Sequence, residues 1–116
     1  MIALVGCGGG GSSSSGPTTT GGCRSVHQGR VTITAKDLAW DAPCLLAPVG
    51  SEVIIKVVNA DKGVNHDLHL KDAPGDPKTP LTVGPATHQL EVALPRGTYD
   101  YVCDVHPAMV GQLRVG

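Results

Sequence analysis

The sequence predicts an all-β protein: a β-sandwich preceded by a disordered N-terminal tether. Short runs of alternating or β-branched apolar residues recur from residue 30 onward, which is the pattern of half-buried strands. Clusters of Gly, Pro and Asp separate these runs, and no stretch shows the period of about 3.6 residues that marks a helix. With 116 residues, the chain is long enough for one domain with a modest core.

The overall composition excludes two classes of partner. Charged residues make up 16% and the formal net charge is −1, so there is no basic excess to neutralise the phosphates of a nucleic acid. No apolar run reaches the roughly 18 residues that a membrane-spanning helix needs. We therefore expect a globular domain that binds neither nucleic acid nor the membrane interior.

The first seven residues resemble the end of a bacterial lipoprotein signal, in which a cysteine after small and aliphatic residues receives a lipid. The matching residues are Leu4-Val5-Gly6-Cys7. An export signal also has a basic start and an apolar segment of about 7–15 residues. Only six residues precede Cys7 and none is charged, so we expect the signal to begin upstream of residue 1. The alternative is a cytosolic chain with a disordered tail and an unused thiol.

Residues 8–29 are predicted to form a linker. Nine of the 16 glycines lie before residue 30, and residues 8–22 read GGGGSSSSGPTTTGG, with no apolar side chain to bury. A lipid at Cys7 followed by this linker would hold a domain of residues 30–116 a short way off a membrane.

The predicted strands follow one another through the domain with turn signals between them. They lie at residues 31–35, 52–58, 66–70, 88–94, 98–103 and 112–115. The turn signals lie at residues 48–50, 61–63, 72–80 and 95–97, and at Gly111. Six or seven short strands separated in this way favour a sandwich.

The large rings of the core come from very few residues, because the chain has no phenylalanine. Trp40, Tyr99 and Tyr101 are its aromatic side chains, and we expect all three to pack in the core. At least one tyrosine hydroxyl should then bond to a backbone group.

A candidate metal-binding loop lies near the C-terminus. Cys103, His106 and Met109 follow one another at intervals of three residues. Pro107 should keep these residues out of a regular strand, and Gly111 should allow the turn into the last strand. A thiolate, an imidazole and a thioether form a soft donor set that selects copper over magnesium, calcium or manganese. The usual trigonal copper site needs a second histidine, and His66 is the upstream candidate.

These residues resemble the cupredoxin (blue copper) family, of which amicyanin and plastocyanin are members. The similarity covers about residues 30–115 and rests on three motifs. They are Gly97-Thr-Tyr-Asp-Tyr-Val-Cys103, Cys103-x-x-His106-x-x-Met109 with a proline after the histidine, and an asparagine-to-histidine stretch from Asn59 to His66.

The resemblance implies a Greek-key β-sandwich that holds one Cu(I)/Cu(II) ion. His66 and His106 would bind through ring nitrogens, Cys103 as a thiolate, and Met109 as a long axial ligand. The alternatives are a disulfide for Cys103, core packing for Met109 and ordinary hydrogen-bonding roles for the histidines.

The other histidines are interpreted as non-ligands. His69 lies three residues after His66 on a predicted strand, so it should face the opposite side of the sheet, as a surface residue. His27 and His88 have no partner at a ligand spacing.

Asp67 follows His66, and Asp104 follows Cys103. Many cupredoxins have an asparagine after the first histidine, at the position of Asp67. Two close carboxylates would repel, which would raise the pKa of one of them. Alternatively, Asp67 accepts a backbone N–H and Asp104 faces water. We expect this acidic pair to favour Cu(II) and to lower the reduction potential.

Cys23 and Cys44 flank the first predicted strand and are predicted to form a disulfide. The alternative is two free thiols. A closed loop of about 20 residues would contribute roughly 3 kcal/mol in the chain-entropy model, and export makes such a bond chemically allowed.

The function predicted from these features is electron transfer without substrate turnover. No acid–base pair or nucleophile stands near the loop, so we expect a monomer that passes single electrons between redox proteins in the cell envelope or periplasm. Electrons would leave through His106, with Pro107 and Ala108 forming a weak docking patch. The alternatives are copper capture or delivery in the envelope, and a domain that has kept only the fold.

Overall fold

A computed structural model describes residues 22–116, together with the backbone of Thr19–Thr20. The predicted lipidation site at Cys7 and most of the predicted linker lie outside the described residues. Within these described residues, the regular elements are twelve β-strands: β1 Thr19–Thr20, β2 Cys23–Ser25, β3 Arg30–Lys36, β4 Ala39–Trp40, β5 Cys44–Ala47, β6 Val53–Asn59, β7 Asn65–His66, β8 His69–Lys71, β9 Thr82–Val83, β10 Ala86–Val92, β11 Gly97–Cys103 and β12 His106–Val115. None of the elements in this part of the chain is an apolar helix of membrane-spanning length.

The strands form two main sheets with a small third one. The larger sheet has the order β1-β2-β5-β12-β11-β8, the second has the order β10-β6-β3-β4, and β7 pairs with β9. Neighbours in the chain therefore often lie in different sheets, as when β5 in the larger sheet is followed by β6 in the second. The predicted Greek-key β-sandwich is confirmed.

The core lies between the two main sheets and follows the alternation of the sequence. In β3, Val31, Ile33 and Ala35 are buried, while Thr32 and Lys36 are exposed. This is the period-two pattern of a strand with one face in the core and the other in water. The buried cluster joins side chains of both main sheets, which fixes the register of each strand.

The three aromatic residues occupy different depths. Tyr101 on β11 is fully buried, whereas Trp40 and Tyr99 pack against the core and remain partly exposed. The prediction that all three lie in the core is therefore confirmed in full for Tyr101 and in part for Trp40 and Tyr99. Both tyrosine hydroxyls donate to backbone carbonyls, Tyr101 to Ala42 and Tyr99 to Pro95, as expected for at least one of them.

The sheet begins earlier than the sequence indicates. Strand β2 lies within the range predicted as linker, yet it pairs with β5, and Cys23 stands directly opposite Cys44. These two cysteines form the predicted disulfide, with their Cα atoms 4.5 Å apart. The boundary predicted at residue 30 is thus too late, because nonlocal pairing orders a segment that has no apolar alternation of its own.

The predicted strand at residues 66–70 is divided into two. His66 ends β7 in the small sheet, whereas His69 begins β8 at the edge of the larger one. The break occurs at Leu68, whose N–H donates to the Thr79 hydroxyl and whose carbonyl accepts the Thr79 N–H. These bonds redirect the chain between the two histidines, so the argument that they face opposite sides of one strand does not hold.

Candidate metal centre

Three predicted ligands converge at one end of the sandwich. The Cys103 Sγ lies 3.6 Å from Nδ1 of His66 and 3.5 Å from Nδ1 of His106. The two imidazole rings stand with their centroids 4.9 Å apart. One donor atom from each residue falls within 4.8 Å of the other two, so a single ion could touch all three.

The strand arrangement explains this convergence. Cys103 ends β11 and pairs with His106, which begins β12, so only Asp104 and Val105 turn the chain between them. Pairing resumes at Val102 and Val110, and this leaves residues 107–109 as a bulge. His66 reaches the same point from β7, which belongs to the small sheet.

Two details of the predicted loop are wrong. His106 and Met109 lie within the bounds of β12 rather than in a free loop, because the bulge accommodates Pro107 without a ladder hydrogen bond. Gly111 makes no turn. It pairs with Tyr101, and a Cβ at this position would collide with the Tyr101 ring, so glycine is needed here for space.

Met109 lies at the same buried end as the other three residues. It forms a small cluster with Ala35 and Cys103, and Trp40 packs against this cluster. The indole N–H of Trp40 donates to the Met109 carbonyl at 3.1 Å, which ties the bulge to β4. The same indole stands edge-on to the Tyr101 ring. Sequence reasoning placed Trp40 in the core but missed this contact.

The donor set fits copper. With metal–sulfur and metal–nitrogen bonds of about 2.3 and 2.0 Å, as at zinc, and an angle of about 110°, sulfur and nitrogen would lie about 3.5 Å apart. The two Sγ–Nδ1 distances agree with this separation. A thiolate with two imidazoles suits several transition metals, and a thioether in the same cluster favours copper among them.

The site is closed on the His66 side and open on the His106 side. Cys103 and His66 are almost fully buried, at 1% and 3% exposure, whereas His106 is half-buried. Pro107 and Ala108 are exposed beside it, and the apolar Val105 and Val110 are also exposed. The two residues predicted to form a docking patch are thus exposed, and they follow the half-buried histidine directly in the chain.

Asp67 and Asp104 combine both arrangements considered for them. Asp67 is buried and accepts the backbone N–H of Asp104 at 2.8 Å. Burial, together with the neighbouring Asp104 carboxyl, raises the pKa of Asp67. Hydrogen bonds with Asp67 and with His69 lower the pKa of Asp104. The pair thus shifts the two pKa values in opposite directions, that of Asp67 upward and that of Asp104 downward.

His69, predicted to be a surface residue and not a ligand, is more covered than that prediction implies. Its side chain is only 15% exposed, and it lies between two carboxylates. Nδ1 is 2.9 Å from Asp104 and Nε2 is 2.5 Å from Asp76. These two hydrogen bonds raise the pKa of His69, with the larger effect coming from Asp104. His69 thus lies at the Asp104 carboxylate rather than at the Cys103 sulfur.

The remaining two histidines lie against other groups. His88 Nε2 contacts the Thr82 hydroxyl at 2.9 Å, and the backbone of His27 pairs with that of Arg30.

Sequence reasoning also missed Asp61, a nearly buried carboxylate beside His66. Its Oδ2 lies 2.8 Å from His66 Nε2. The N–H of Leu38, followed by the contact with His66, lowers the pKa of Asp61 to about 2. The signal that could have found it is its position between Asn59 and His66, within the stretch already compared with a ligand motif.

Known proteins resemble this chain in sequence and in structure. No family model matches it. Amicyanin-alpha of Methylorubrum extorquens is 36% identical over 72 residues, which are 55% of this chain. The chain spans 60% of the length of that relative.

Two solved structures of amicyanin variants show the same fold. One is a reduced Cu(I) form at pH 4 of a proline-to-glycine mutant, with 26% identity and a TM-score of 0.63. The other is a reduced tryptophan-to-tyrosine mutant, with 26% identity and a TM-score of 0.60. Each match covers 78% of this chain and 86% of the solved chain.

Proposed function

We propose that this chain is a cupredoxin, since it is similar to amicyanin in sequence and in fold, and that it is a mononuclear type 1 copper protein that carries single electrons. The observation that supports this most directly is the convergence of Cys103, His66 and His106 on one point, with Met109 in the same buried cluster. When bound there, copper supplies a one-electron Cu(I)/Cu(II) couple.

Each of the four residues has a distinct role in this proposal. His66 and His106 would hold the copper through Nδ1, Cys103 would hold it as a thiolate, and Met109 would supply a weak thioether contact. Cys103 and His106 are held by paired strands, and Met109 is held by its carbonyl contact with Trp40. A donor set fixed in this way changes little between oxidation states, which favours rapid electron transfer over substrate chemistry.

The exposed surface around His106 is the proposed point of electron exit. The imidazole is half-buried, and Pro107 and Ala108 offer small apolar contacts without charge. Electron-transfer encounters are commonly small and short-lived, which such a patch suits. The partners would be redox proteins that dock weakly with a monomer.

Copper capture or delivery is the second candidate function. It requires an ion that leaves readily, and a methionine in a weak axial position would be compatible with Cu(I). The burial of Cys103 and His66 favours the electron carrier, because release would have to open a closed side of the site.

A copper titration distinguishes these functions. We expect Cu(II) added to the metal-free protein to give intense blue absorption, caused by the bond to Cys103. Cys103→Ser should remove the absorption, and His106→Gln should change it strongly. His88→Gln is the matched control and should leave the spectrum unchanged. A colourless complex, or one that loses its copper to a chelator within seconds, would contradict the electron-carrier proposal.

The reduction potential tests the acidic pair. We propose that Asp67 favours Cu(II), so Asp67→Asn should raise the potential by removing a negative charge near the ion. Voltammetry of both proteins at neutral pH measures this difference. A potential that stays the same or falls would refute the proposed role of Asp67.

The proposed location is the bacterial cell envelope or periplasm, with a lipid on Cys7 as the only membrane attachment. The disulfide between Cys23 and Cys44 supports an oxidising compartment. Expression of the gene from its own locus, followed by labelling with a fatty acid, tests the anchor. We expect label in the wild type and none in Cys7→Ser. A wild-type protein that carries no label and is found in the soluble fraction would count against the anchor.

A further inference from the structure

The Asp61 carboxylate joins a backbone turn to a proposed copper ligand. One oxygen, Oδ1, accepts the N–H of Asp37 at 2.6 Å. The other, Oδ2, accepts the N–H of Leu38 at 3.0 Å and lies 2.8 Å from Nε2 of His66. The side chains of His66 and Asp61 are 1% and 11% exposed, so water competes little for this contact.

The turn that Asp61 holds is unfavourable for its residues. Asp37 and Leu38 link β3 to β4, where Lys36 pairs with Ala39, and both have positive φ values of 54° and 59°. A two-residue hairpin turn of this kind normally contains glycine or asparagine, because other side chains resist the left-handed conformation. Both N–H groups of the turn point to one carboxylate, which offsets that cost and fixes the position of Asp61.

Asp61 is also held from its own side. Its backbone N–H donates to the Asn59 side-chain oxygen at 2.9 Å. The Asn59 amide in turn donates to the carbonyls of Val64, which precedes β7, and of Thr82, which begins β9. These two strands form the small sheet that carries His66. The carboxylate therefore has little freedom to follow His66. It is the imidazole that must orient itself to Asp61.

A charged carboxylate accepts hydrogen bonds and donates none, so the neutral His66 ring can satisfy Asp61 only with its proton on Nε2. That tautomer leaves the lone pair on Nδ1, the atom that faces Cys103 at 3.6 Å. A second hydrogen-bonding group of this kind typically orients a metal-binding histidine and raises its basicity.

We infer that Asp61 is a positioning residue that sets the tautomer and orientation of His66, and so prepares Nδ1 for the metal before the metal arrives. The effect on copper binding rests on the proposed function, whereas the tautomer of His66 is a property of the metal-free protein. Asp61 does not touch the metal. It acts through His66.

Asp61→Asn is the sharpest variant, because it keeps the size of the side chain. An asparagine whose oxygen takes the place of Oδ1 accepts the N–H of Asp37, loses the bond from Leu38 and presents its NH₂ group to His66. The ring would then accept at Nε2 and place its proton on Nδ1, which blocks the metal-binding atom. Loss of such an outer partner commonly weakens metal binding about 10–100-fold.

The experiment has two readouts and a matched control. A ¹H–¹⁵N NMR experiment that detects two-bond couplings within the imidazole ring reports the His66 tautomer. It is recorded on the metal-free protein at a pH where the histidines are neutral. Competition with a chelator for Cu(I), with no other metal present, reports the affinity of the protein for copper. Asp41→Asn is the control, because Asp41 also accepts a backbone N–H from the same hairpin, that of Thr34, but its other partner is Arg24 rather than a proposed ligand.

We expect an Nε2–H tautomer in the wild type and in Asp41→Asn, and an Nδ1–H or mixed population in Asp61→Asn. Copper affinity should fall about 10–100-fold in Asp61→Asn only. If Asp61→Asn is poorly folded, the addition of Leu38→Gly relieves the left-handed turn without restoring the carboxylate, and the tautomer and affinity should stay altered.

Two outcomes separate failure of the inference from failure of the proposed function. If the wild type binds copper and Asp61→Asn keeps both the tautomer and the affinity, Asp61 only stabilises the turn and the inference is overturned. If the wild type shows the Nε2–H tautomer, Asp61→Asn loses it and neither binds copper, the positioning of His66 is supported while the copper function fails.

Discussion

Replacing Tyr101 by Phe should destabilise the protein far more than the same change at Tyr99. The two tyrosines lie on the same strand, β11, and each hydroxyl donates to a backbone carbonyl at a similar distance. The bond from Tyr101 to Ala42 is 2.7 Å long and buried. The bond from Tyr99 to Pro95 is 2.8 Å long and exposed. Burial is thus the main difference between them.

The expected loss in the free energy of unfolding depends on what replaces each hydroxyl. Without the Tyr101 hydroxyl, the Ala42 carbonyl is left buried with no partner in this direction, which costs about 2 kcal/mol. Water can take the place of the Tyr99 hydroxyl, so that loss should be about 0.5 kcal/mol. For about 95 residues, the unfolding entropy means that a loss of 1 kcal/mol in stability lowers Tm by roughly 5 °C. The expected decreases in Tm are therefore about 10 °C for Tyr101→Phe and about 2 °C for Tyr99→Phe.

Urea unfolding of the metal-free, disulfide-bonded proteins measures these losses, with thermal unfolding as a second method. Neither variant should change the copper spectrum, because the Tyr101 ring still packs against Trp40. Equal losses in the two variants, or a larger loss in Tyr99→Phe, would refute the argument that burial determines the cost of losing the hydroxyl.

Three further predictions concern stability. Replacing Cys23 and Cys44 together by Ser should lower the free energy of unfolding by about 3 kcal/mol, since their sequence separation of 21 closes a long loop; urea unfolding that shows no loss would contradict the chain-entropy argument. Gly111→Ala should cost about 1–3 kcal/mol through overpacking against Tyr101, and a Tm equal to that of the wild type would show that the ring moves freely. His69 has a raised folded-state pKa, so its stabilising effect is complete below the unfolded value of 6.5 and is lost as the pH rises through the folded value. His69→Gln should therefore lose most stability in acid and little in alkali, and a loss independent of pH in urea unfolding would contradict the charged pairing.

The proposed copper ligands were largely predictable from local spacing. Cys103, His106 and Met109 lie within seven residues of one another, so any compact turn brings them close. His66 lies 37 residues before Cys103, and it was suggested by the need for a second histidine and by the family motif rather than by local spacing. Physical spacing alone cannot place a residue so distant in the chain, because its position depends on how two sheets pack.

The exact path of the chain near these residues was less predictable. The alternation at residues 66–70 indicated one strand, but bonds from Leu68 to Thr79 divide it. Pro107 indicated a loop, but a bulge accommodates it within β12. In both cases a partner elsewhere in the chain overrides a local preference that is worth only a fraction of the total stability.

Alternating apolar residues and turn signals were sufficient to determine an all-β sandwich, because a strand must place every second side chain in the core. Residue type and spacing were sufficient to indicate a soft metal site. The tertiary structure alone decided what lies opposite each polar group: Asp61 against His66, His69 between two carboxylates, and Trp40 against the Met109 carbonyl. A sequence pattern specifies which face of a strand a side chain occupies, whereas its partner depends on the packing of segments that are distant in the chain.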